Sequence, residues 1–209
     1  MYEHRYKYGK QKTIMTVEQF REKLEAPNIK LEQKAFLVLL WHSGVRKSEA
    51  YERVKEDIEI TETHVIVDFH QRKKHGETVP PLKIPRKFYG VEEYLLPHLC
   101  KPKRAKPKTI YTYETRRKKL LTHTEKAEAR WLFPHIGSTT AWRICKRVLG
   151  PEYYAHYLRL RKLSKIGLNR EKGSITHLKA ISGIKSVRAL EAYIGYDEEA
   201  QDEAMEISE

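Results

Sequence analysis

A mostly helical domain with one small antiparallel sheet is the fold class this sequence predicts, on three observations. Capped amphipathic stretches recur along the chain. The run over residues 35–41 is too continuously apolar for anything but a buried helix. One stretch alone alternates with the period of a strand before a turn and a return. The 209 residues, 40% apolar and 10% aromatic, suffice for a single buried core.

Each element has a local reason. Residues 1–15 read as a flexible basic arm. Thr16 and Gln19 then form a capping box that opens a helix, with Val17, Phe20 and Leu24 on one face. Pro27 and Asn28 break it. A second helix over 31–41 stops at Gly44, and a further helical turn carries Arg46, Glu49 and Tyr51. Residues 64–69 alternate Val65, Val67 and Phe69 on one side, which predicts a strand. Lys73, Lys74, His75 and Gly76 form a turn, and 78–84 return as a second strand. Pro80 and Pro81 confine that strand to an edge. A helix is expected over 91–99, followed by an extended, solvated segment over 101–119, where nine Lys or Arg meet one acid. Helices resume over 138–148, 153–163, 174–182 and 186–194. Serines 138, 174 and 186 are candidate N-caps, and Gly183 and Gly195 candidate C-caps.

The charge is large and unevenly placed. Lys and Arg number 41 against 28 Asp and Glu, a net +13. Seven of the acids and no base fall after Tyr196, so residues 1–196 carry +20. That surplus fits a polyanion partner, although many small soluble proteins are merely basic. Two cysteines, Cys100 and Cys145, provide neither a disulfide framework nor a metal-ligand spacing, and no metal or other cofactor is expected. The N-terminus lacks the apolar core of a signal peptide, and no run is long enough to cross a membrane. A cytoplasmic, nucleoid-associated protein is the expectation. Scarce Gln and Asn beside abundant Lys, Glu, Tyr and Ile point to a hot habitat.

Taken singly, the polar pairs look ordinary. Arg46 and Glu49 share a helix face and would make a common surface ion pair. His156 and Arg159 repeat the spacing on a helix otherwise lined by apolar residues, where a structural pair is the simpler reading. Tyr193 is one of 13 tyrosines, most of which must serve packing.

Read in order, these pieces resemble the catalytic domain of tyrosine recombinases and phage integrases. The stretch over 15–50 carries a capped helix, an apolar helix, and then Ser43-Gly44-Val45-Arg46-Lys47-Ser48-Glu49. A strand, a Lys-containing turn and a strand follow. Trp131-Leu132-Phe133-Pro134 resembles that family's Leu-Phe-Pro element, and His156-Tyr157-Leu158-Arg159 its His-x-x-Arg. Gly183 and Tyr193 match its spacing of ten residues from glycine to nucleophile. The resemblance covers residues 13–196, between a basic arm (1–12) and an acidic tail (197–209). One position departs: Ile184 stands where the family has His or Trp, with Lys185 beside it.

The resemblance implies a DNA strand transferase. Arg46 and Arg159 would hold the charge that gathers on a phosphodiester in transit, since guanidinium forks match such oxygens. Tyr193 would attack phosphorus and conserve the bond as a phosphotyrosine without ATP or metal. Lys74 or Lys73 would protonate the departing 5′ oxygen and His156 would take the tyrosine proton. Glu49 would orient an arginine, and Lys185 is a candidate replacement for the missing His or Trp. Lys103, Arg104, Lys106, Arg116, Arg117 and Lys118 would add phosphate contacts. The implied partners are double-stranded DNA and further copies of the chain, as a dimer to tetramer on DNA. Two other readings stay open: a type IB topoisomerase that relaxes supercoils, and a DNA-binding chain that has lost cleavage.

Overall fold

Thr16 opens α1 (Val17–Glu25) as its sequence dictates. Its Oγ1 accepts the Gln19 N–H at 3.2 Å, while Gln19 Oε1 accepts the Thr16 N–H at 2.9 Å. The computed structural model describes residues 3–4, 12–13, 15–69, 80–101, 130–167, 175–182, 184 and 190. Phe20 and Leu24 are buried, and Phe20 stacks on Trp41 with ring centroids 3.9 Å apart. α2 (Leu31–Ser43) is the central element, and residues 35–41 are all buried. It runs two residues beyond the expected end, until Gly44 terminates it in the left-handed conformation at φ 65°. α3 (Lys47–Tyr51) follows at once.

The sheet has three antiparallel strands, β3 (Ile58–Ile60), β4 (His64–Val67) and β5 (Leu82–Pro85), in that order. Val65 pairs with Ile60 on one side and Ile84 on the other, and Val65, Val67 and Ile84 are buried. β3 was not expected, because three residues alternating with glutamate are too short to show a period. The first expected strand ends at Val67, two residues early, although Phe69 is still buried. The second expected strand, over 78–84, is observed as Leu82–Pro85: it lies at the edge of the sheet as expected, but Pro80 and Pro81, which lack an N–H to give a ladder, stand before it and not within it.

The N-terminal arm needs correction. Glu3–His4 (β1) and Lys12–Thr13 (β2) pair as a two-stranded antiparallel ladder where the sequence reads as a flexible arm. Such pairing uses backbone groups that every residue carries, so composition does not announce it. The expected helix over 91–99 is split. Val91–Leu95 winds as a π-helix before α4 (Leu96–Leu99), and Pro97, which has no N–H, lies just beyond the wide turn. Its start at Gly90 (φ 78°) leaves no space for a side chain, since a Cβ there would lie 2.6 Å from Val38.

α5 (Ser138–Leu149) buries Ala141, Ile144, Cys145 and Val148. Gly137 is its N-cap and Ser138 its first helical residue, so the expected serine cap is displaced by one. α6 (Ala155–Gly167) is shifted from the expected 153–163, and α7 is Ile175–Ser182. Leu190 is helical and buried in a small cluster with Leu160, Leu163 and Leu178. The rest of the expected helix over 186–194 lies outside the described residues, as do the turn over 73–76, the candidate caps Ser174, Ser186, Gly183 and Gly195, and the tail over 197–209.

Two long-range ties hold this arrangement. Trp131 bridges to Val54, and the Leu132 carbonyl accepts from His98 Nε2 at 2.8 Å. α6 grips the peptide before α1 from both sides. Tyr157 Oη accepts the Met15 N–H at 2.7 Å, and Arg161 Nε donates to the Met15 carbonyl at 2.9 Å. Among the described residues no helix is long and apolar enough to cross a membrane.

Candidate active site

The turn that ends α2 aims the first candidate arginine. With Gly44 left-handed, Val45 turns into the core and Arg46 becomes the N-cap of α3. Glu49, one helical turn on, then satisfies both ends of Arg46. Its Oε2 accepts the Arg46 backbone N–H at 2.6 Å and its Oε1 accepts from the guanidinium Nη1 at 2.8 Å. The Arg46 side chain is 52% exposed and that of Glu49 18%. The pair is therefore a braced cation facing solvent, with its carboxylate tucked behind.

α6 brings the second arginine to the same turn. Arg159 is 1% exposed and donates Nη1 to the Gly44 carbonyl at 2.8 Å. The contact is close enough that a Cβ on Gly44 would lie 2.9 Å from Lys162 Cγ. His156 stands on the preceding turn of α6 at the surface. Its pKa is lowered, first by partial desolvation and then by the positive charges of Arg159 and Arg46. Both arginines thus act on one imidazole and favour its neutral form. The structure brings Arg46, Glu49, His156 and Arg159 together across more than 100 residues of chain.

Ile184 is partly buried and packs against the cluster of Leu160, Leu163, Leu178 and Leu190. Tyr193, Lys73, Lys74 and Lys185 lie outside the described residues. So do Lys103, Arg104, Lys106, Arg116, Arg117 and Lys118. Sequence reasoning passed over one cationic face. α5 contains no acid, and its outer side presents Arg143, Lys146 and Trp142, the last 49% exposed with Lys146 Nζ 5.7 Å from its ring centroid. At its start Lys47 of α3 donates to the Ser138 carbonyl at 3.3 Å, which sets this face beside the Arg46 turn. A tryptophan on the polar side of an amphipathic helix was the signal available.

No protein-family model matches the chain, and no curated protein is similar to it in sequence. Solved structures are similar in fold. XerH site-specific recombinase bound to its difH substrate superposes with a TM-score of 0.65 at 16% identity, over 92% of this chain and 52% of XerH. XerA recombinase gives 0.57 at 16% identity, over 92% of this chain and 62% of its own. The Tn1549 transposon integrase, in complex with circular intermediate DNA, gives 0.58 at 16% identity over 93% and 67%. The chain thus spans about half the length of the XerH protein it matches. With the order of helices and sheet, the braced Arg46 and the His156–Arg159 turn already placed, the likeness shows one fold: this chain has the fold of the tyrosine recombinase catalytic domain.

Proposed function

We propose that this chain is a site-specific DNA recombinase or integrase that cuts and rejoins strands through Tyr193. One observation carries the reading: Arg46, Glu49, His156 and Arg159, separated in sequence, converge on the Gly44 turn of a fold shared with DNA recombinases.

In this mechanism Arg46 and Arg159 hold the non-bridging oxygens of the scissile phosphate, where charge rises in the transition state. Tyr193 Oη forms a bond to phosphorus as the bond from phosphorus to the 5′ oxygen breaks. Neutral His156 takes the tyrosine proton, and Lys74 or Lys73 gives one to the departing 5′ oxygen. The reverse steps rejoin the strand, so the phosphotyrosine conserves the bond and no ATP is consumed. Lys185 supplies the phosphate contact that Ile184 cannot make. The basic segment with Lys103, Arg104, Lys106, Arg116, Arg117 and Lys118, and the outer face of α5, track the duplex backbone. The acidic tail after Tyr196 reaches the basic surface of another copy, assembling protomers on DNA.

The packing of Ile184 against leucines favours a second reading, a chain that binds DNA without cutting it. A nicked suicide substrate separates the two. Wild-type protein should form a covalent adduct on denaturing gels, and Tyr193→Phe should form none while binding DNA with near-unchanged affinity. Binding with no adduct supports the second reading. An adduct mapped to another residue removes Tyr193 from the mechanism, and supercoil relaxation without recombinant product assigns a topoisomerase.

A further inference from the structure

The start of α1, the end of α2, the turn before the π-helical segment, the second half of α6 and one side of α7 enclose a cleft of about 580 Å³. Its walls are apolar and largely aromatic: Trp41, Phe88, Tyr89 and Ile166. Its charged lining is cationic, with Lys87, Arg161, Lys162 and Lys165, and among the described residues no carboxylate lines it. None of these side chains belongs to the Arg46–His156–Arg159 site.

Arg161 decides what the cleft is fitted to hold. It is 4% exposed, with its guanidinium over the Trp41 ring, Cζ 3.2 Å from the centroid. Its Nε is engaged by the Met15 carbonyl, and among the described residues its Nη groups make no hydrogen bond. Burial lowers its pKa to about 10, and no carboxylate offsets that. Burial, then Arg161 and Lys165, lower that of Lys162. His42, at the same wall, is pushed down to about 4 by burial and by Lys162 and Arg161. Lys165 at the rim has the Glu18 carboxylate near it, but no carboxylate acts on Arg161 or Lys162, and an anion in the cleft would relieve the cost of crowding those two cations into an apolar space.

We propose that this cleft binds a small organic anion, a carboxylate carried on a flat apolar body. A guanidinium held over a ring presents its Nη groups to a ligand, and that fork matches a planar two-oxygen acceptor. The aromatic walls suit a ring, and the volume falls in the range of about 300–1,000 Å³ that small-molecule sites occupy. Inorganic phosphate would leave those walls wet, and a phosphate held in a duplex backbone does not reach a side chain so deeply covered. The proposal stands apart from the DNA reading.

The test titrates 2-naphthoate into the full chain by calorimetry, beside 2-naphthamide, which has the same shape without the charge. The naphthoate should saturate one site and the amide should bind at least about tenfold more weakly, the worth of one charge-assisted contact. Arg161→Met should erase that preference. Because Arg161 also holds Met15, Lys165→Glu, at an exposed position, provides a second variant, and its carboxylate at the rim should erase the preference as well. Equal affinity for the two ligands, no saturation at millimolar concentration, or a preference retained in both variants overturns the assignment. A synthetic peptide of residues 197–209 forms the last arm. If it displaces the probe at concentrations below the probe's own half-saturation, the cleft belongs to a protein segment and the small-molecule assignment falls.

Discussion

Arg46 and Arg159 carry the same guanidinium into opposite surroundings. Arg46 is half exposed and braced by Glu49, so its removal should cost the fold less than about 0.5 kcal/mol. Its loss from a transition state should cost far more, on the order of a hundredfold in adduct formation. Arg46→Ala should therefore melt like wild type and cleave poorly in single-turnover assays; cleavage at wild-type rate would remove it from the site. Arg159, 1% exposed and bonded to the Gly44 carbonyl, should lose both stability and cleavage on truncation. The two spacings, Arg46 to Glu49 and His156 to Arg159, were legible because each pair lies within one helical turn. Arg161 was not singled out. Its partners, Met15 and Trp41, are distant in sequence, and nothing local marks a buried arginine.

The elements that aim these side chains depend on one glycine and one pair of clamps. Gly44 is left-handed and pressed against Lys162, so Gly44→Ala meets both a strained backbone and a contact at 2.9 Å. It should destabilise the protein by roughly 1–2 kcal/mol or more, read as a lower denaturant midpoint, and should shift Arg46 and Arg159 together. An unchanged midpoint would mean that the turn yields. Tyr157→Phe leaves the Met15 N–H without its buried acceptor and should cost about 1–3 kcal/mol. The Thr16 capping box, the Gly44 stop and the apolar α2 run were readable at this scale, since each is local chemistry, whereas the cap of α5 falls on Gly137 and not on Ser138. The π-helical turn, β3 and the short ladder at the N-terminus were not, because each rests on backbone geometry that side-chain patterning does not encode.

For the whole molecule, the burial of His42, reinforced by Lys162 and Arg161, sets a pH dependence. His42 titrates near 4 when folded, against about 6.5 when unfolded, so the unfolded chain binds more protons between those values. The associated stability is complete above pH 6.5 and is lost as pH falls towards 4, by roughly 3 kcal/mol at most. Thermal midpoints should drop across that window in wild type and drop less in His42→Gln. Equal slopes would place the acid sensitivity elsewhere. The fold class was legible because helix signals outnumber strand signals along the chain, whereas the cleft exists only where five separate segments meet. The grip on Met15 has a consequence for synthesis. Its two hydrogen bonds join residues 142 and 146 positions apart, so this clasp on Met15 cannot close until α6 has left the ribosome. At about 5–20 residues per second, the apolar face of α2 waits on the order of ten seconds for its cover. Nascent chains stalled before α6 should recruit chaperones or aggregate, and release should follow once Arg161 emerges.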